Sequence, residues 1–113
     1  MRINTSETTG IRVLACDGVM LLGNGAEELG DAFERALREG VRGIVLDLTR
    51  LGYLDSAGVG TVVSGAKDAS AAGIVMKIAL LRTGPVRRIF EVTQLERGFE
   101  IFDDAEAAAS SFE

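Results

Sequence analysis

Past Gly25 the apolar residues of this chain change their spacing from two to about 3.6, and from there helical stretches alternate with short apolar runs. Leu29, Ala32, Phe33, Ala36 and Leu37 fall on one face of a helix. Asn24 can cap it, with Glu27 three residues on completing a capping-box pattern, and Gly40 follows where a left-handed C-terminal cap favours glycine. The run Ile44-Val45-Leu46-Asp47-Leu48, interrupted by a single acid, suits a strand covered on both faces. Val59, Val62, Val63 and Ala66 predict a second helix over about 57–71, stopped by Ala72-Gly73. Ile74 to Leu80 reads as the next strand. Gly84-Pro85 opens a third helix whose apolar face is Val86, Ile89 and Phe90, because proline suits a first turn. A short strand, residues 99–102, precedes Asp103-Asp104-Ala105-Glu106, an acid-rich first turn suited to a helix dipole, and a last helix ending near Phe112.

Ahead of this alternation, residues 2–7 and 11–16 read as strands joined by Thr9-Gly10. Asp17-Gly18, before Val19-Met20-Leu21-Leu22, carries the signature of a further hairpin. The expected order is therefore β-β-β-α-β-α-β-α-β-α: an α/β chain with a mixed β-sheet packed with about four α-helices. At 113 residues the chain can bury one core, so residues 1–113 are expected to form one domain.

Composition narrows the chemistry. There is no histidine, which excludes Ser-His-Asp and Cys-His arrangements, HExxH metal sites and any imidazole base. Cys16 is alone and can form neither an internal disulfide nor a thiolate zinc site; in a strand run it reads as a small core residue. A net charge of -5, with Arg87-Arg88 the only adjacent basic pair, argues against binding a nucleic-acid duplex or an anionic membrane surface. No window approaches the roughly 18 apolar residues of a membrane span, and the first residues lack the apolar segment of a secretory signal. A cytoplasmic setting with Cys16 reduced is the expectation.

Two segments could carry function. Gly23-x-Gly25 after a strand, with Asp47 in the next strand, has the layout of a dinucleotide fingerprint. Its third glycine position is Glu28, however, next to Glu27, so two carboxylates stand where phosphates would bind. A tight turn into a capped helix accounts for it better. The second segment is Asp55-Ser56-Ala57-Gly58-Val59-Gly60, at the start of the second helix. It is not the Gly-x-Ser-x-Gly nucleophile elbow, and no histidine exists to serve it. Structurally, Ser56 or Asp55 is an N-cap and Gly58 and Gly60 permit close helix-sheet packing. Functionally, a serine at a helix start lies at a strand's carboxyl end, the edge where α/β sheets tend to carry function. Phosphorylation there adds roughly -1.5 to -2 charge beside Asp55, an anion that a helix N-terminus tolerates. The fold survives while its surface changes, which is the physics of a switch.

Asp47-Leu48-Thr49-Arg50-Leu51-Gly52-Tyr53-Leu54-Asp55-Ser56-Ala57-Gly58-Val59-Gly60 resembles the signature of STAS domains of the anti-sigma factor antagonist type: a strand ending in Asp, a short loop, then Asp-Ser-x-Gly-x-Gly. Gly23 to Leu29, Ile74 to Leu80, Val86 to Thr93 and Phe102-Asp103-Asp104 resemble the corresponding segments of stand-alone bacterial members, so the likeness covers nearly the whole chain. The resemblance implies partner switching. The unphosphorylated antagonist binds an anti-sigma factor that is also a serine/threonine kinase and so frees a sigma factor; the kinase phosphorylates the serine matching Ser56, and a PP2C-type phosphatase reverses it. It further implies no catalysis, metal or cofactor in the antagonist itself. Asp47 and Asp55 match acids that flank the phosphoacceptor and contribute to the partner surface, and Gly58 and Gly60 match glycines shaping the helix start. STAS domains also serve as accessory or ligand-binding subunits of lipid and anion transport systems, which is the alternative role. Thr49 and Thr61 read as loop and helix residues facing neighbours rather than second phosphosites. Tyr53 is expected to pack at the loop base, and Lys77 to reach solvent along its stem.

Overall fold

The computed structural model describes residues 1–112. The elements run β1 (Arg2–Thr8), β2 (Ile11–Met20), α1 (Ala26–Arg38), β3 (Gly43–Leu54), α2 (Ser56–Ala71), β4 (Val75–Ala79), α3 (Pro85–Val92), a 3-10 turn (Leu95–Gly98), β5 (Ile101–Phe102) and α4 (Ala105–Ser110). Among the described residues the strands form a single five-stranded sheet in the order β1-β2-β3-β4-β5, in which only the β1/β2 pair is antiparallel. The mixed sheet and four helices are those expected.

Sheet order equals chain order, and this places the helices. Right-handed crossovers that always step to the next strand in one direction put every connecting helix on the same face. Accordingly α1, α2 and α3 pack with Leu14, Ile44, Leu46, Leu48, Met76 and Ile78 into the larger core. The helix after the last strand, α4, covers the other face over Ile11 and Val45. Leu29, Ala32, Phe33 and Ala36 of α1 are all buried, as their spacing predicts. Where α1 crosses α2, Gly65 is the contact: a Cβ there would overlap the buried Phe33 ring.

The expected hairpin at Asp17-Gly18 is absent. β2 continues through both residues in parallel register with β3, from Ile11↔Gly43 to Met20↔Leu54, with shifts between Ala15 and Asp17 and between Gly18 and Val19. Gly18 has φ +115°, and a bulge absorbs that conformation as a kink instead of a reversal. There is thus one long strand where two were expected, and β3 is correspondingly long. Because β4 stops at Ala79, opposite Asp47, the last residues of β2 and β3 project past it as a two-stranded ribbon.

Lys77 is a second correction. It is 7% exposed, because its side chain lies on the sheet face that α4 covers and not on an open one.

Candidate functional site

At the tip of the ribbon the register pair Met20↔Leu54 brings the starts of α1 and α2 together. Asp55, not Ser56, is the N-cap of α2. Its backbone is extended, and its Oδ1 accepts the Gly58 N–H at 3.0 Å, which satisfies one of the four unpaired donors of the first turn. Its other oxygen, Oδ2, accepts the Leu22 N–H at 3.0 Å, so one carboxylate ties the turn after β2 to the start of α2. The Asp55 N–H adds a 3.1 Å bond to the Met20 carbonyl. These donors, Leu22 first and Gly58 second, hold the Asp55 carboxyl below its ordinary range because they favour the charged form.

Ser56 is then the first helical residue, and it is exposed. Fixed backbone on both sides presents its hydroxyl to solvent at the positive end of a 16-residue helix. Gly58 is required by close approach: a Cβ there would lie 3.0 Å from both the Leu54 Cβ and the Met20 carbonyl oxygen. Gly60 is different. A Cβ at Gly60 would meet nothing within 4 Å, so the close packing expected of it does not exist. It lines a shallow groove between α1 and α2 together with Glu27, Asp31 and Asp68.

Asp47 does not join this group. It lies seven residues before β3 ends, in register with Ala15 and Ala79, and its Oδ1 accepts the Thr49 N–H at 3.0 Å and the Thr49 hydroxyl at 2.7 Å. Burial, with the Asp47 charge second, pushes the nearby Cys16 thiol up to about 12, so Cys16 is the inert core residue expected. Thr61 donates its hydroxyl to the Ala57 carbonyl at 3.1 Å within the helix. Both threonine hydroxyls near Ser56 in sequence are thus occupied inside the chain, whereas Ser56 is open.

The site also holds residues that sequence patterning assigns elsewhere. Leu22 reads as part of an apolar strand yet is 74% exposed, and Tyr53, expected to pack at the loop base, is 47% exposed. Val19, the register partner of Tyr53, is 36% exposed. Only the tertiary structure shows that they are surface: strand alternation on the projecting ribbon points Val19 and Tyr53 away from Met20 and Leu54, and Leu22 lies in the turn beyond the end of β2. Ser56 is therefore an exposed hydroxyl close to a small apolar surface, with Asp55 anchoring both.

Among the described residues no helix is long and apolar enough to cross a membrane. The STAS domain profile matches residues 2–108. Over 113 residues the chain is 31% identical to BtrV of Bordetella bronchiseptica, a candidate anti-sigma factor antagonist by its description, covering 99% of this chain and 95% of that one. The structure is similar to that of the anti-sigma factor antagonist SpoIIAA in its unphosphorylated form, with a TM-score of 0.72 and 24% identity over 97% of this chain and 96% of that one. The phosphorylated form of the Bacillus cell fate determinant SpoIIAA gives a TM-score of 0.74 with 21% identity over 99% and 100% of the two chains. At these identities the two structures establish the fold, and the profile and BtrV establish kinship: the chain belongs to the STAS domain family, of the anti-sigma factor antagonist type.

Proposed function

We propose that this protein is a non-catalytic, phosphorylation-controlled anti-sigma factor antagonist acting in the cytoplasm. Unphosphorylated, the ribbon tip and the start of α2 bind an anti-sigma factor that is itself a serine/threonine kinase, and a sigma factor is released. That kinase phosphorylates Ser56, which ends the interaction, and a PP2C-type phosphatase restores it. Asp55, Ser56 and Gly58 form the centre of this surface; Gly60 borders it in the groove; Asp47 contributes from farther down β3.

The observation that carries the reading is the exposed Ser56 hydroxyl on the first residue of α2, held by a carboxylate whose two oxygens are already committed to Gly58 and Leu22. A phosphate there meets the positive end of the helix, so the fold tolerates it. A partner seated on Leu22 and Tyr53 would have to strip water from that dianion, which costs several kcal/mol unless new partners appear. The same group is thus compatible with folding and hostile to the complex. ATP and its metal belong to the kinase in this scheme.

Incubation with the cognate kinase and ATP is expected to add one phosphate at Ser56, and none to Ser56→Ala. Ser56→Asp is expected to weaken kinase binding in titration calorimetry. Phosphate mapped elsewhere by mass spectrometry, or affinity indifferent to Ser56→Asp, overturns the switch and favours the transport-accessory role instead.

A further inference from the structure

The two faces of the sheet are covered unequally. Opposite the large α1–α3 core, α4 has six residues and closes a small buried apolar cluster of Ile11, Val45 and its own Ala108. Beneath its end lies Lys77, the one buried charged residue among the described residues. The Lys77 Nζ donates to the Ser111 hydroxyl at 2.8 Å and to the Ser111 carbonyl at 3.2 Å, at the negative end of α4. It also sits 4.4 Å from the centre of the Phe112 ring and 5.7 Å from that of Phe102, with Glu100 at 3.6 Å. Gly43 makes the room, since a Cβ there would overlap Phe112.

A lysine is an unusual choice for this position. Burying an ammonium costs several kcal/mol in lost hydration, and an ion-to-apolar replacement of similar volume is often neutral or stabilising. Ser111 supplies both hydrogen bonds of Lys77 and Phe112 the nearer ring, and these are the residues that leave if α4 lifts, while Glu100 and Phe102 stay. Once they leave, the ammonium regains water. An apolar residue at 77 would lose contacts and gain nothing, whereas Lys77 is rehydrated, so the charge lowers the free energy of the lifted state relative to the docked one.

We propose that α4 is a strap that lifts from the sheet as a unit while the α1–α3 side stays folded, and that Lys77 is its release point and not its fastening. Lifting bares Ile11, Val13 and Val45 on a face away from Ser56. A six-residue helix has little stability without that contact, which fits an element that opens locally.

Amide hydrogen exchange of the full chain, followed by mass spectrometry, tests this with Lys77→Met and Ser111→Ala. In the unaltered protein, residues 105–112 are expected to exchange at least about tenfold faster than α1 residues 29–36, as a locally opening unit does. Lys77→Met is expected to slow exchange in 105–112 several-fold and leave α1 unchanged; Ser111→Ala, which removes the shorter of the ammonium's two bonds to Ser111, is expected to speed it. Faster exchange of α4 in Lys77→Met would make Lys77 a fastening and overturn the proposal. So would no response to either variant, or α1 and α4 exchanging in step.

Discussion

Helices α1 and α2 begin side by side, each within a few residues of the Met20↔Leu54 pair, and their first turns are finished in opposite ways. At α1 the cap is Gly25 with φ +105°, and the chain supplies two carboxylates: Glu28 accepts the Gly25 N–H at 3.0 Å and Glu27 accepts the Gly23 N–H at 3.1 Å. At α2 the first turn holds no acid, and the single cap carboxylate of Asp55 is shared with the neighbouring turn. One positive helix end is filled by the chain's own anions; the other is left with one carboxylate and an exposed hydroxyl. The phosphate proposed for Ser56 would thus meet fewer anions at α2 than one at α1 would, although by spacing both are strand-turn-helix junctions rich in glycine.

The largest effect separating the two starts should come from Gly58. Gly58→Val drives a side chain into Leu54 and Met20, and overpacking of this kind costs about 1–3 kcal/mol, measurable as a lower urea midpoint. Gly60→Ala, two residues on, meets open space and replaces a poor helix former. It should raise stability by up to about 1 kcal/mol, and if both variants respond alike the packing account of Gly58 fails.

Next in size is Asp55→Ala, which frees the N–H groups of both Gly58 and Leu22 and should lower the Tm more than Glu28→Ala, which frees only that of Gly25. Equal losses in thermal melts would erase the contrast between the shared cap and the local one. Acid should act in the same sense. Because Leu22 and Gly58 hold the folded Asp55 carboxyl below its ordinary value, its stabilisation is complete above the unfolded value of about 3.9 and is lost as pH falls through the lower folded one. The stability gap between the unaltered protein and Asp55→Ala should thus narrow between about pH 5 and pH 2 in denaturant titrations. A gap constant over that window would mean that the carboxylate charge contributes nothing. The smallest effect expected is that of Glu28→Ala alone, a loss confined to the first turn of α1.

Much of this architecture is legible along the chain, for identifiable reasons. Leu29, Ala32, Phe33 and Ala36 face a core because a helix with that spacing has no other way to bury them. Asp55-Ser56 at a helix start is readable because a cap requires an oxygen within three residues of the N–H it serves. The α1 cap slipped by one residue, from Asn24 to Gly25, because the Asn24 side chain instead accepts the amino-terminal N–H of Met1 at 3.1 Å, a contact between positions 23 residues apart. Asp17-Gly18 failed as a hairpin signal for a similar reason: pairing with β3 continues on both sides of the bulge, so the strand kinks there and goes on instead of reversing.

Local rules act over a few residues, and within that range the sequence by itself determined the helices, most strands and the serine at the start of α2. Only the tertiary structure decided what lies across from what. It buried Lys77 beneath Ser111 and Phe112, set Gly65 against Phe33, left Leu22 and Tyr53 in solvent and parted Asp47 from Ser56. Those outcomes depend on which strands are neighbours and how far they project, and no spacing along the chain encodes a distance through space.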